Sequence, residues 1–150
     1  MLKLAYNFSE KKDKPKADIS IITDYDQRYL GIISKIFYKE LAGWNDKGTD
    51  ALNALLARGG HIAAYWHKMR LVGAALWERQ GEGWRLLHIC FKMKEQRRGH
   101  GPVLLDFIVH KITETDETGL LQVDLDKNSP AHVARFFEKY GFEQRGEQDA

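Results

Sequence analysis

The residues of this chain best suited to chemistry are Gln-Arg-Arg-Gly-His-Gly at positions 96–101, which combine two arginines with two glycines. A hydrophobic segment at residues 84–93 precedes them and predicts a buried strand. Beyond Pro102, hydrophobic residues recur at helical spacing, so a helix that opens with this proline is predicted. The first amides of a helix lack intrahelical partners and carry the positive end of its dipole. The sequence therefore predicts an anion-binding loop, suited to a diphosphate.

The residues of this loop exclude two common types of phosphate-binding site. Gly99 and Gly101 would let the backbone approach a ligand and adopt positive φ, while Arg97 and Arg98 add positive charge. A Walker A loop is excluded because no Gly-Lys-Ser or Gly-Lys-Thr ending is present. The dinucleotide fingerprint requires a third glycine, and Leu104 occupies that position. Taken alone, the loop is equally compatible with an ordinary glycine-rich turn.

Two ordered motifs carry a family resemblance. Gln96-x-x-Gly99-x-Gly101 resembles the Q/R-x-x-G-x-G/A signature of the GNAT superfamily, the acyl-CoA-dependent N-acyltransferases. Farther along, residues 135–142 (Arg-Phe-Phe-Glu-Lys-Tyr-Gly-Phe) resemble the family's second signature, of F-Y-x-K-x-G-F type. Between them, residues 119–126 occupy the place of the family's fifth strand. The resemblance covers residues 60–143, roughly, and the ordered pair is more specific than either motif alone.

The resemblance implies an α/β fold, with one GNAT-like domain over residues 1–150 and a mixed β-sheet sandwiched by helices. Hydrophobic patterning agrees with the family order β-α-α-β-β-β-α-β-α-β. Residues 1–8 are left open as a short strand or an ordered arm. Strands are predicted at 18–23, 61–67, 70–79, 84–93, 120–126 and from 142, and helices at 30–41, 50–56, 102–112 and 130–140.

Composition excludes several classes of protein. The 150 residues are 43% hydrophobic and 29% charged, as in a soluble globular protein. The formal net charge of +2 gives no argument for nucleic-acid binding, and no hydrophobic run reaches the length of a membrane span. Without a signal-peptide pattern, a cytoplasmic location is expected. The single cysteine, Cys90, is expected in the core, and the histidines lack metal-ligand spacing, so no metal site is predicted.

The resemblance further implies acetyl-CoA as the cofactor and a primary amine of a small molecule or peptide as the acceptor, with a homodimer left open. In the family, the pantetheine arm lies beside the strand that precedes the glycine loop, where Phe91 and Met93 would offer backbone groups. The diphosphate would meet the loop amides, although Pro102 lacks one donor. Valine at either loop glycine is expected to abolish cofactor binding in a folded chain. The residues expected at the cofactor are Phe91, Met93, Gln96, Arg97, Arg98, Gly99, His100, Gly101, Asn128 and Phe137.

Transfer of an acyl group to an amine requires a base that removes a proton from the amine, directly or through water. His88, in the predicted strand 84–93, is the first candidate, and a half-buried structural histidine is the alternative. Glu78 is a second candidate, and Asp124 and Asp126 are rivals. A single β-bulge would decide whether His88 or its two neighbours face the cleft.

The sequence departs from the family at one catalytic position. A tyrosine five residues before the final phenylalanine of the second signature often protonates the leaving thiolate, but Phe137 stands there. Tyr140 is near in sequence and is expected to be a core aromatic. Trp44 would lie in the acceptor pocket or serve in packing. Two hypotheses follow: an N-acetyltransferase, or a catalytically weak GNAT-fold module that binds acyl-CoA or a protein partner without turnover.

Overall fold

The computed structural model describes residues 1–9, 12–116, 119–126 and 129–145. The elements follow the predicted order, with one strand added at the N-terminus. A short 3-10 turn, Met93–Glu95, lies between the strand Gly83–Phe91 and the helix His100–Thr113. The strands are β1 (Leu2–Phe8), β2 (Asp18–Ile22), β3 (His61–His67), β4 (Arg70–Gln80), β5 (Gly83–Phe91), β6 (Gly119–Leu125) and β7 (Glu143–Gln144), and the helices are α1 (Gln27–Glu40), α2 (Asp50–Ala57), α3 (His100–Thr113) and α4 (Ala131–Tyr140).

One mixed sheet contains all seven strands in the order β2-β3-β4-β5-β6-β1-β7. Only the β5–β6 pair is parallel, and the other neighbours are antiparallel. The strand left open by the sequence, β1, pairs with β6 along its whole length, from Leu2 opposite Leu125 to Phe8 opposite Gly119. The predicted α/β fold class is confirmed. None of the helices in the described ranges has the length and apolar character needed to cross a membrane.

The two faces of the sheet have separate hydrophobic cores. Residues of α3 and α4, such as Leu104, Ile108 and Phe137, pack on one face. Residues of α1 and α2, such as Phe37 and Leu55, pack on the other. Because side chains alternate between the faces of a strand, β2, β3, β4 and β5 contribute to both cores, whereas β1 and β6 contribute to the core beneath α3 and α4. This arrangement is the predicted sheet sandwiched by helices.

Strands β5 and β6 pair only at their beginnings. Their parallel register covers Trp84 to Leu86 of β5 and then ends. Beyond that point β5 remains paired with β4 as far as Phe91, whereas β6 remains paired with β1 to its last residue. The sheet therefore opens into a wedge between the second halves of β5 and β6, which we call the β5–β6 wedge.

A β-bulge lies where the wedge opens. On the β4 side, Leu76 pairs with His88, and the next residue, Trp77, pairs with Leu86. Leu87 is therefore an extra residue in β5. An extra residue bends its strand and increases the local twist. The bulge gives a physical reason for β5 to leave β6 at this point.

Candidate active site

The loop that follows β5 ends at the N-terminus of α3. Gly99 is the N-cap of this helix, with φ of 84°, and nothing lies within 4 Å of the position that a Cβ would occupy. Arg97 also has positive φ, 64°, which is uncommon for a residue with a side chain. Arg97 and Arg98 are exposed. An open, positively charged surface therefore surrounds the free amides of a 14-residue helix.

The second loop glycine has a role that the sequence did not indicate. Gly101 does not have positive φ, and it lies inside α3, which begins at His100 and not at Pro102. A Cβ at Gly101 would lie 2.6 Å from the ring of Phe136 on α4. Valine here is therefore expected to strain the packing of α3 on α4 as well as the loop, because the missing side chain makes room for Phe136. Pro102 remains in the first turn, where its missing N–H is tolerated.

The C-terminal end of β5 presents backbone groups to the wedge. The Lys92 amide donates to the Val72 carbonyl on β4, at the opposite edge of β5. Because backbone groups alternate between the two edges of a strand, the amide of Phe91 is directed toward the wedge. The Phe91 carbonyl accepts a hydrogen bond of 3.0 Å from Nε2 of Gln96, which fixes the loop to the strand.

Met93 differs from its prediction. The strand ends at Phe91, so Met93 is not a strand residue but the first residue of the 3-10 turn, with 71% of its surface exposed. Its amide donates to the Glu40 carboxylate at 3.3 Å. Met93 therefore offers no free strand edge to a ligand. Glu40, at the end of α1, was missed by the sequence reasoning. Its position three residues after Phe37, on the apolar side of α1, was the available signal.

His88 lies on the face of the sheet covered by α1. Its ring packs edge-on against Trp44, with 5.4 Å between ring centroids, and lies 6.1 Å from the ring of Phe37. Leu87, the bulge residue, packs on this face as well, whereas Ile89 packs on the other. The bulge therefore places both Leu87 and His88 on the α1 face, which neither alternative from the sequence had anticipated.

The environment of His88 favours the neutral form of its ring. Packing against aromatic neighbours removes water from the ring, and the positive charge of Arg85 lies nearby. Desolvation first and this charge second lower the pKa of His88. A neutral imidazole at neutral pH is a proton acceptor, and His88 remains exposed to solvent despite these ring contacts.

Trp44 is held in the α1–α2 connection by polar contacts with Asp46. The indole Nε1 donates to the Asp46 carbonyl at 3.0 Å, and the same carbonyl accepts from Ser34 Oγ at 3.1 Å. The Asp46 carboxylate in turn accepts from the amides of Gly48 and Ala51. These contacts fix the ring that covers His88.

The rival carboxylates are engaged with partners. Glu78 Oε1 lies 2.9 Å from Nε of Arg58, and the Glu78 side chain is 22% exposed. Asp124 accepts from Gln122 at 2.9 Å and lies 3.6 Å from Arg85. Asp126 is exposed just after β6. A carboxylate oxygen that already contacts a guanidinium or an amide is less accessible to the proton of an incoming amine, so His88 is the stronger candidate.

Comparison with known proteins identifies the family. The sequence profile described as "Acetyltransferase (GNAT) domain" matches residues 21–149. The chain belongs to the GNAT acetyltransferase family. Comparison with curated protein sequences gives no significant match.

Solved GNAT structures share the fold at low sequence identity. An aminoglycoside acetyltransferase from an uncultured soil metagenomic sample, in complex with sisomicin, is 14% identical with a TM-score of 0.69, covering 83% of this chain and 86% of that chain. A ribosomal-protein-alanine N-acetyltransferase from Brucella melitensis is 16% identical with a TM-score of 0.66, covering 82% and 89%. A GNAT-family protein from Novosphingobium aromaticivorans is 17% identical with a TM-score of 0.65. This chain spans only 60% of its length, while 96% of this chain is covered.

The tyrosine that GNAT enzymes often use as an acid has no counterpart at position 137. Phe137 is 2% exposed and packs between Phe136 and Phe142, so its side chain is part of the core. Tyr140 donates a hydrogen bond of 2.6 Å to Asp106, and burial together with this bond raises its pKa. The interpretation of Tyr140 as a core aromatic with a bonded hydroxyl agrees with these contacts. Asn128 lies outside the described residues.

His100 is turned away from the helix N-terminus that its backbone helps to form. Its side chain is buried, with Nδ1 3.0 Å from the Tyr65 hydroxyl and Nε2 3.2 Å from Glu95 Oε1. The ring of His67, at the end of β3, lies 5.0 Å away. The fold therefore gathers His67, Glu95 and His100, with ligand atoms all within 4.8 Å of one another. The histidines lack metal-ligand spacing in the sequence, but the tertiary structure brings two of them together with a carboxylate.

Proposed function

We propose that this GNAT chain is an N-acetyltransferase that transfers the acetyl group of acetyl-CoA to an amine. One observation carries the proposal: the β5–β6 wedge leads directly to the open loop and the N-terminus of α3. A thioester carried along the free edge of β5 and a diphosphate held by the loop would occupy one continuous surface. Acetyl-CoA supplies the activated acyl group when it is bound.

The described residues fit this ligand at two points. Gly99 provides an open position with positive φ beside unpaired helix amides, where a diphosphate requires close backbone approach. The exposed arginines beside it supply charge. The amide of Phe91, directed toward the wedge, can donate to an oxygen that gains negative charge during acyl transfer. Arg98 also lies near Glu95 and helps to lower its pKa, so Arg97 is the less committed of the two cations.

His88 is proposed to accept the proton of the amine, directly or through water. It lies on the α1 face of β5, where Trp44 and Phe37 would form one wall of an acceptor pocket. The amine acceptor is supported by two relatives of known substrate class, one acting on aminoglycosides and one on ribosomal-protein alanine.

The experiment that tests acetyl-CoA binding uses two glycines in the same backbone conformation. Gly99 and Gly59 have φ of 84° and 87°, and neither has an atom within 4 Å of an added Cβ. Valine at either site imposes the same strain, but only Gly99 lies in the proposed cradle. Titration calorimetry is expected to give a micromolar dissociation constant for the wild type and for Gly59→Val. Gly99→Val is expected to bind at least about 10-fold more weakly, a loss of about 1.4 kcal/mol.

Two results would contradict this part of the proposal. No heat and no rise in melting temperature with millimolar acetyl-CoA in the wild type would remove the cofactor, since any ligand of the native state must stabilise it. Equal binding by the Gly99→Val and Gly59→Val variants would place the cradle elsewhere.

The second candidate function is acyl-CoA binding without turnover, and Phe137 favours it. A core phenylalanine cannot donate a proton, and the hydroxyl of Tyr140 is committed to Asp106. Thiol release from acetyl-CoA discriminates the two functions. A panel of polyamines, aminoglycosides, amino acids and peptides is expected to raise the release rate above the rate without acceptor. Tight binding with no stimulation by any acceptor would favour the binding module.

A further inference from the structure

We propose that the His67–Glu95–His100 cluster binds a divalent first-row transition-metal ion. Its three members lie on three different elements: the end of β3, the 3-10 turn, and the first residue of α3. Two imidazoles and one carboxylate form a donor set that suits Zn²⁺ and its neighbours in the first row. The side chains of the cluster are not those proposed to take the proton or donate to the oxyanion, but the cluster flanks the loop at residues 96–99.

The distances suit a tetrahedral ion. Two ligands bound to one Zn²⁺ at about 2.0–2.1 Å lie roughly 3.3 Å from each other. Nε2 of His100 and Oε1 of Glu95 are 3.2 Å apart. The other separations in the cluster do not exceed 4.8 Å, and rotation of the half-buried His67 side chain can shorten them. A lone pair on Nε2 facing a carboxylate oxygen requires either a proton or a cation between them.

The neighbours of His100 fix the orientation of its imidazole, as is common for a histidine that binds a metal ion. A ligating histidine usually donates its second ring N–H to a neighbour, which fixes the ring and its tautomer. Tyr65 Oη lies 3.0 Å from Nδ1 of His100 and is placed to accept that hydrogen bond. The rings of Tyr65 and Phe91 pack at 4.8 and 5.6 Å from the imidazole, so the ring has little freedom to turn. Tyr65 is thus a positioning residue.

The charge of the cluster also suits a cation. A carboxylate side chain brings negative charge to a cluster whose two imidazoles bind a metal in their neutral form. The side chains of Glu95 and His100 are 17% and 10% exposed, which leaves an opening for a water molecule as a fourth ligand.

A bound ion would connect the loop to the sheet. Glu95 precedes residues 96–99 and His100 follows them, while His67 belongs to β3. Metal binding would therefore close this short loop at its base and tie it to the strand. The expected consequence is a higher melting temperature with Zn²⁺ than in its absence.

The test is a titration of the metal-free chain, prepared without a histidine tag, with Zn²⁺ as the probe. The first variant is His67→Gln, because this side chain lies at the end of a strand and is not in the core. The matched control is His132→Gln, which removes an exposed histidine of α4. The wild type is expected to bind one ion per chain. His67→Gln is expected to bind about 100-fold more weakly, Tyr65→Phe about 10-fold more weakly, and His132→Gln within twofold of the wild type.

Cobalt gives an independent readout. Co²⁺ in a four-coordinate site absorbs visible light far more strongly than hexaaqua Co²⁺, and this absorption is expected in the wild type and in His132→Gln but not in His67→Gln. Equal Zn²⁺ affinity in the wild type and His67→Gln would overturn the proposal. So would an equal loss in His67→Gln and His132→Gln, because that would indicate binding to surface histidines in general.

Discussion

The two sides of the β5–β6 wedge are built from different parts of the chain. At the C-terminal end of β5, the proposed site consists of backbone groups, at Gly99, the first turn of α3 and the Phe91 amide. On the α1 face, the proposed site consists of the side chains of His88 and Trp44. A site made of backbone groups requires residues such as glycine at positions of unusual conformation, and a sequence shows where these are. A site made of side chains requires the correct strand register, which a single extra residue can change.

Among the substitutions considered, Gly101→Val near the N-terminus of α3 is expected to have the largest effect on stability. Gly101→Val is expected to lower the free energy of unfolding by about 2–3 kcal/mol, because the new side chain overlaps the ring of Phe136. Chemical denaturation measures this loss. The matched control is Gly31→Val in α1, where nothing lies within 4 Å of the added Cβ. Gly31→Val is expected to change stability by less than about 1 kcal/mol.

The cause of that loss can be checked in a double variant. Adding Phe136→Ala to Gly101→Val removes the overlapping ring, so the pair should destabilise by less than the sum of the single changes. Simple additivity would mean that the contact between Gly101 and Phe136 is not responsible. The family signature would then owe its second glycine to the ligand alone.

On the side-chain side, His88→Ala is expected to lower turnover by about 10²-fold with little change in acetyl-CoA affinity. The pKa of His88 is lowered by burial, so its neutral, proton-accepting form persists below the usual pH range of histidine. Wild-type activity should therefore rise with pH through a midpoint below the ordinary value for histidine. A rate measured against pH at saturating acetyl-CoA gives this midpoint.

The contrast with Glu78 sharpens the assignment of the base. Glu78→Gln removes a carboxylate that is already paired with Arg58, and it is expected to keep turnover within about threefold of the wild type. If His88→Ala showed the wild-type midpoint, His88 would not be the base. If Glu78→Gln lost more activity than His88→Ala, the carboxylate would replace the histidine in the mechanism.

The sequence predicted the fold well because its signals are local. Alternating and helical patterns placed the main strands and helices, and Gly99 marked the loop through a conformation that glycine adopts readily. The place of β1 between β6 and β7 and the bulge at Leu87 depend on pairing between distant segments, which no local pattern encodes. The cluster of His67 with His100 was missed for the same reason, since its histidines are far apart in the sequence.

At Gly101 the motif was correct, but the reason that it suggested for the glycine was incomplete. Its place in the signature was recognised, and its role was attributed to the ligand. The structure gives a second reason, the ring of Phe136, which itself belongs to the second motif. The two signatures therefore contact each other in the fold, and this contact links the strand–loop–helix unit to α4.

The smallest expected effect concerns Cys90, which shares the α1 face with His88 but lies deeper. Burial, with the nearby charge of Glu40, raises the pKa of the Cys90 thiol to about 12. At pH 8 the thiol is therefore protonated as well as shielded, and iodoacetamide is expected to modify it only after unfolding. Mass spectrometry of the native and the urea-unfolded chain measures the difference.

This prediction also separates two routes for acyl transfer. If the amine attacks the thioester directly, Cys90→Ala should keep turnover within about twofold, and only stability should fall, by about 1 kcal/mol for the lost packing. If the acyl group passed through a cysteine, the same change would abolish turnover in a folded chain. His88 and Cys90 are two residues apart on the same face of β5. The two alanine variants therefore compare a side chain that is exposed to solvent with one that is buried beneath α1. Loss of activity confined to His88→Ala is the expected result, because only an accessible, neutral base can meet the incoming amine.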